Sequence, residues 1–359
     1  MSILNPVSLQ MVAEKVENRV RISDNDALAL LQSTNLTELS RLADLVRWRM
    51  HPNPIVTYII GRNINYTNVC WVRCSFCNFY RPPGSPEGYV ITKEEVFQKI
   101  QELVDLGGME LLLQGGLNSE LKLDYYQDLF SSIKERFPQT HLHALSVAEI
   151  RYIAHLSRLS VKETLVALRE AGLDTVPGAG GEILVDRVRK IIAPRKDMAD
   201  EWISVMRDAH EIGMRTSATM MYGSVETLEE RVEHLRRVRD LQDETGGFTA
   251  FIPWSYQPDG TELGGTRTGG FEYLKMVAVS RIYLDNVPSI QASWVTQGPK
   301  VGAISLSFGV NDFGSTMLEE NVVSQAGTCF SMPIPEIERI IRDAGYEPRR
   351  RNTLYRLLD

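Results

Sequence analysis

The chain has 359 residues, 43% apolar and 24% charged, with a formal net charge of −7. This composition excludes a chain disordered throughout, and the acidic balance excludes a global nucleic-acid footprint. No apolar run approaches the roughly 18 residues that cross a bilayer, and the first twenty residues hold no basic stretch followed by an apolar one, so neither a membrane span nor a secretory signal is expected.

Residues 1–54 read as a helical extension. Leu28, Leu31, Leu36, Leu39, Leu42 and Leu45 recur at helix-compatible spacing, and Pro52 and Pro54 punctuate the segment. From residue 55, short apolar runs alternate with amphipathic ones. Strands are predicted at 55–60, 109–113, 141–145, 173–176, 215–221, 248–254, 290–295 and 305–310. Between them, Thr92 with Glu95, Ser146 with Glu149, Ser160 with Glu163 and Thr227 with Glu230 have the spacing of capping boxes, and Gly172 and Gly213 stand where helices end. Strand–helix alternation builds a parallel sheet, and eight repeats over roughly 290 residues fit a (β/α)8 TIM-like barrel. An open doubly wound sheet competes, but no G-x-G-x-x-G follows the first strand. The expected division is a barrel over 55–316 with helical extensions at 1–54 and 317–359. The run Arg349-Arg350-Arg351 reads as a solvated end.

Cys70, Cys74 and Cys77 cluster directly after the first strand, and Cys329 lies far away. In a parallel barrel that position is the C-terminal face, where active sites sit. The pattern is not a spread disulfide framework, and a reducing cytoplasm with a metal site fits it better. Structural zinc wants four ligands in paired knuckles, and no second pair matches these thiols. Unligated buried cysteines are the bland reading. A [4Fe–4S] cluster on three thiolates leaves one iron open, and the amino and carboxylate groups of S-adenosylmethionine can chelate it.

The spacing C-x3-C-x-aromatic-C, carried by Cys70, Cys74, Phe76 and Cys77, resembles the signature of the radical S-adenosylmethionine superfamily. The resemblance implies that Phe76 lies near the adenine and that Gln114-Gly115-Gly116, ending the second strand, meets the methionine amino group. An acidic residue often follows the two glycines in that superfamily; here Leu117 does.

Other loops on the same face supply further candidates. Gly178-Ala179-Gly180-Gly181-Glu182 is weak as a phosphate cradle, but the Glu182 carboxylate can accept from ribose hydroxyls. Met220 and Met221 read as core, or one of them as a wall for the adenosyl group, with Thr219 and Tyr222 offering hydroxyls. Residues 251–258, with Trp254 and Tyr256 between two prolines, form a rigid aromatic loop suited to a flat substrate ring. Asp312 reads as a helix cap, a ligand of a substrate hydroxyl or a proton acceptor. Arg62 and Arg81 suit either a carboxylate ligand or surface ion pairs. The histidines form no H-E-x-x-H or triad-like pattern.

Asn63-Ile64-Asn65-Tyr66-Thr67-Asn68-Val69-Cys70, Trp254-Ser255-Tyr256-Gln257-Pro258, Ala292-Ser293-Trp294-Val295 and Asn311-Asp312-Phe313-Gly314-Ser315-Thr316 resemble the cyclic dehypoxanthine futalosine synthase family. Aminofutalosine synthase and the F0 synthase subunits are its relatives and the competing activities within the superfamily. The resemblance implies a step of menaquinone biosynthesis by the futalosine route. A 5′-deoxyadenosyl radical takes the ribose C4′ hydrogen of dehypoxanthine futalosine, the carbon radical attacks the benzoate ring, and loss of one electron and one proton restores aromaticity.

A base must take that proton, and Glu182, Asp312 and Tyr256 are the candidates. Phe76, Gln114, Gly115, Gly116, Glu182, Thr219 and Met221 are the expected contacts to S-adenosylmethionine. A flavodoxin- or ferredoxin-like electron donor is the expected partner, in the cytoplasm, with neither nucleic acid nor membrane. A non-catalytic iron–sulfur or zinc protein is the competing reading from another class.

Overall fold

The structure, a computed structural model, describes residues 8–322, 324–327, 330 and 332–358. Three helices open the chain: α1 (Leu9–Glu17), α2 (Asp24–Gln32) and α3 (Leu36–Met50). Ser8, Ser23 and Asn35 cap them, each side chain accepting a backbone N–H of the first turn. The leucine stripe closes inward as the periodicity predicts, with Leu30, Leu31, Leu39 and Leu42 fully buried.

Strands and helices then alternate. The order is β1 (Ile55–Ile59), β2 (Gly61–Asn65), α4 (Lys93–Asp105), β3 (Glu110–Gln114), α5 (Leu123–Arg136), β4 (His141–Ala144), α6 (Val147–Ser157), α7 (Val161–Glu170) and β5 (Thr175–Val176). Next come α8 (Asp186–Ile192), α9 (Ala199–Glu211), β6 (Arg215–Tyr222), α10 (Leu228–Thr245), β7 (Phe248–Ser255), α11 (Gly270–Tyr283), β8 (Ser289–Ile290) and α12 (Trp294–Ser305). The chain ends with β9 (Asp312–Ser315), α13 (Ile334–Asp343) and β10 (Glu347–Arg350). All four expected capping boxes form, at the starts of α4, α6, α7 and α10. The N-terminal helices lie outside the barrel, with α3 against α11 and α2 against α10.

β2 to β8 form one parallel sheet in sequence order, and β1 pairs with β9 on one side and β10 on the other. β1 and β2 are one continuous run interrupted at Ile60, and backbone bonds after β8 close the ring. Ala292 N donates to Asp312 O at 2.9 Å, and Thr316 N donates to Ile59 O at 3.0 Å. The expected parallel α/β barrel is thus present, joined edge to edge through β9.

Three expectations change. Residues 305–310 are not a strand: α12 runs on into a 3-10 turn over Leu306–Phe308, and Gly309 at φ +88° breaks it. Leu306 and Phe308 pack on α3 and α11, and the last barrel strand is Asp312–Ser315. The seventh strand stops at Ile290, because Trp294 already starts α12. The segment after residue 316 is not wholly helical. α13 buries Ile337, Ile340 and Ile341, at about 1.5–3 kcal/mol per fully buried side chain. It then delivers β10 against β1, with Tyr58 opposite Arg350.

Candidate active site

A cavity of about 430 Å³ runs down the barrel interior from the loops at the C-terminal strand ends. Cys70, Cys74 and Cys77 all line it, and none forms a disulfide. Backbone bonds pin their loop: Cys70 N to Arg81 O at 2.9 Å, Ser75 N to Ile192 O at 2.9 Å and Cys77 N to Cys74 O at 3.1 Å. Burial pushes the Cys74 and Cys77 thiols up. Lys196 opposes this at Cys74, and the backbone N–H groups of Tyr80 and Phe79 oppose it at Cys77. Among the described residues no three His, Cys, Asp or Glu side chains gather as ligands of a metal ion. An iron–sulfur cube makes a different demand, since each thiolate meets its own iron at a separate corner. Three thiols around one cavity fit that donor set. Cys329 lies outside the described residues.

The glycines after β3 are dictated by close approach. A Cβ on Gly116 would sit 2.3 Å from Val69 O, and one on Gly115 would sit 2.7 Å from the Tyr66 ring. The Gly115 N–H donates to Glu149 Oε1 at 2.9 Å. Glu149 also accepts from the Tyr66 hydroxyl at 2.6 Å, and burial pushes its carboxyl up. A carboxylate therefore reaches the glycine corner from α6 rather than from position 117. The capping-box spacing located Glu149 in the sequence, but only as a cap.

Phe76, Gln114, Glu182 and Thr219 all line the cavity. Thr219 Oγ1 donates to Gly178 O at 2.8 Å. Glu182 is 7% exposed and sits between two cations, Lys196 Nζ at 2.6 Å and Arg189 at 3.4 Å. Burial works against the Lys196 charge, but Glu182, Cys74 and Asp197 outweigh it and keep the ammonium charged. Its Nζ stands 5.8 Å from the Phe76 ring centroid.

The structure departs from three expected roles. Met221 is packed in the hydrophobic core and is not among the cavity-lining residues, because the wall positions of β6 are Ser217 and Thr219. Tyr256 is also off the cavity: it is buried, and its hydroxyl is tied to Thr261. Asp312 is fully buried and committed to Arg351 through both carboxylate oxygens, with further bonds from the Thr57 hydroxyl and Gly314 N–H. Those partners leave it a scaffold for Arg351 rather than a free proton acceptor.

Arg351 is itself a correction. It is 2% exposed, lines the lower cavity and stacks at 3.8 Å on the Tyr355 ring. Of the run that reads as a solvated end, Arg351 turns into the barrel, whereas the Arg349 side chain stays 38% exposed. Arg62 and Arg81 take the ion-pair alternative, with Glu319 and Glu102 for the first and Glu87 for the second.

Sequence reasoning also missed Asn63, Asn65 and His143, which line the cavity from β2 and β4. Alternating polar residues in a strand otherwise facing the core were the available signal. Asn63 Oδ1, Asn65 Oδ1 and Gln114 Nε2 are buried without hydrogen-bond partners among the described residues. Such orphaned groups in a cavity wall await a polar ligand.

Comparison with known proteins agrees with this geometry. The radical SAM superfamily model matches residues 64–238, and a model described as the CofH/MqnC C-terminal region matches 245–359. Cyclic dehypoxanthine futalosine synthase of Halalkalibacterium halodurans is 48% identical over 98% of this chain and 95% of its own length. The Streptomyces coelicolor synthase of the same name is 44% identical over 97% and 88%. Aminodeoxyfutalosine synthase of Thermus thermophilus is 42% identical over 96% and 94%. Among solved structures, methylornithine synthase superposes with a TM-score of 0.75 at 20% identity, covering 94% of this chain and 97% of that one, which speaks to fold alone.

Proposed function

The chain belongs to the radical SAM superfamily, and we propose that it is the cyclase that converts dehypoxanthine futalosine to cyclic dehypoxanthine futalosine on the futalosine route to menaquinone. The observation that carries this reading is near-full-length identity to two synthases of that activity, joined to a barrel cavity lined by three thiols. The family uses S-adenosylmethionine and an iron–sulfur cluster. We take the cluster to be [4Fe–4S].

When bound, the pair would supply a 5′-deoxyadenosyl radical able to remove the ribose C4′ hydrogen and a centre able to take up one electron. Cys70, Cys74 and Cys77 would hold the cluster through their thiolates. Gln114, Gly115 and Gly116, with Glu149 behind them, would meet the methionine end, and Phe76 would flank the adenine. Glu182, held by Lys196, would accept from the cofactor ribose. Apolar walls, among them Leu112, Ile252, Trp254 and Trp294, keep water from the carbon radical. The barrel holds C4′ and the benzoate ring close together, and that proximity selects cyclisation. A flavodoxin or ferredoxin is the reductant we expect.

The test is anaerobic reconstitution followed by incubation with dehypoxanthine futalosine, S-adenosylmethionine and dithionite. Free 5′-deoxyadenosine with a cyclised product supports the reading. Adenosyl incorporation into an aminodeoxyfutalosine synthase substrate would move the chain to that activity. Absence of S-adenosylmethionine cleavage would sink both. Among the described residues no helix is long and apolar enough to cross a membrane.

A further inference from the structure

Cyclisation onto a benzoate ring must shed a ring proton, and the carboxylates around the cavity are committed elsewhere. Glu182 is held by Lys196 and Arg189, and Glu149 by Gly115, Ser146 and Tyr66. Asp312 is held by Arg351, and Glu320 accepts from the Val322 and Ser324 N–H groups of its own loop. Burial pushes Glu110 toward its neutral, protonated form.

His143 differs from all of these. It lines the cavity from the inward face of β4, with Nδ1 2.7 Å from Thr175 Oγ1. Its Nε2 has no protein partner among the described residues. On the other side of the same hydroxyl, His141 Nε2 lies 3.0 Å from Thr175 Oγ1. His141 is two residues nearer the N-terminal end of the barrel and is partly exposed, beside the Lys134–Asp174 ion pair. The Thr175 hydroxyl has one hydrogen and can donate to only one imidazole, so at least one of the two rings donates to it. The tautomers of the two rings are therefore coupled through that hydroxyl.

We propose that His143 accepts the ring proton and that Thr175 and His141 conduct it to the N-terminal end of the barrel. The inference rests on the cyclase reading above. In the receptive arrangement His143 Nδ1–H donates to Thr175, Thr175 O–H donates to His141, and His143 Nε2 offers its lone pair to the cavity. The ring C–H bond breaks with its electron pair left in the ring, and the proton bonds to Nε2. The Nδ1 proton moves to Thr175 Oγ1, and the Thr175 proton moves to His141 Nε2. The one excess electron of the ring would go to the iron–sulfur cluster that the radical SAM family uses, which completes the balance.

Burial, with the charges of His141 and Arg351, pushes the His143 imidazole down to about 3, so it stands neutral with its lone pair free. An imidazole that cannot hold a charge needs an onward path, and the shared hydroxyl provides one. A weak base suffices when the ring's excess electron leaves together with the proton, because their joint loss restores aromaticity.

Three variants test this in the reconstituted enzyme: His143→Gln, Thr175→Val and His141→Asn. Thr175→Val keeps the branched shape and removes only the hydroxyl. The readout is cyclised product per 5′-deoxyadenosine, with unlabelled substrate and with substrate deuterated at the attacked ring position. His143→Gln should lower that ratio on the order of 10²-fold and unmask a ring-deuterium isotope effect. Thr175→Val should do the same to a smaller degree, and 5′-deoxyadenosine formation should persist in all three. Independently, ¹⁵N NMR of the protein without substrate should show Thr175→Val changing the tautomer of His141 and His143 together. A product ratio and isotope effect at wild-type level in His143→Gln would overturn the proposal, as would histidine tautomers indifferent to Thr175→Val. If the wild type makes no cyclised product, the functional reading falls, and the NMR comparison still decides whether the relay exists.

Discussion

Replacing Arg351 by Met tests the reading of the barrel floor. Asp312 is fully buried, and its charge is balanced by the Arg351 guanidinium, with NH2 2.9 Å from Oδ1 and Nε on Oδ2. Methionine conserves much of the side-chain volume but leaves Asp312 only the Thr57 hydroxyl and the Gly314 N–H. Removing one partner of a buried pair leaves an uncompensated charge, at a cost of about 3–5 kcal/mol. The double variant Arg351→Met/Asp312→Asn removes both charges and should recover on the order of 2 kcal/mol of that loss. Arg339→Met is the control. Its pair with Asp343 has side chains 61% and 65% exposed, so its loss should cost less than about 1 kcal/mol. Urea unfolding followed by circular dichroism reads these costs as midpoint shifts at a constant slope. If Arg351→Met costs no more than Arg339→Met, or if the double variant equals the sum of its singles, the buried-pair reasoning is wrong.

Cys74→Ala should abolish the cluster's absorbance and S-adenosylmethionine cleavage in reconstituted protein, whereas Cys329→Ala should leave both intact. Gly116→Ala, whose Cβ would sit 2.3 Å from Val69 O, should displace the cysteine loop and weaken S-adenosylmethionine binding at least about tenfold, measured by calorimetry on the reconstituted enzyme. Stability should also fall with acid. Burial pushes His234 down to about 3 and His210 to about 4, below the ordinary value near 6.5. Below pH 6.5 the unfolded chain binds protons that the folded chain refuses, so stability present at pH 7 is lost as pH falls toward the folded values. Each such histidine contributes about 2 kcal/mol of loss by pH 5. Thermal unfolding at pH 7 and pH 5 measures this, and His234→Gln should flatten the dependence relative to wild type.

Much of this molecule is written in local pattern. A helix start needs only a side-chain oxygen and an acidic residue three positions on, so all four capping boxes were readable. The cysteine spacing is equally local, since one loop carries all three thiols to the same wall. Local pattern misleads where two structures share one signal. Ser305–Val310 is as apolar as a strand, but a helix continues through it and packs it on α3.

The roles of individual polar residues are less legible. Asp312 and Arg351 stand 39 positions apart, and nothing near either announces the other. Only the return of the chain through α13, laying β10 beside β1, places them together. The same holds for Glu149 at the glycine corner and for the pairing of His141 and His143 across Thr175 from the next strand. By itself the sequence determined the alternation of elements and the three-thiol loop, because hydrophobic period and short-range spacing act over a few residues. Only the tertiary structure decided which carboxylates are neutralised and which imidazole faces the cavity. Charge pairing and burial depend on distance in space, which the closure of the barrel sets.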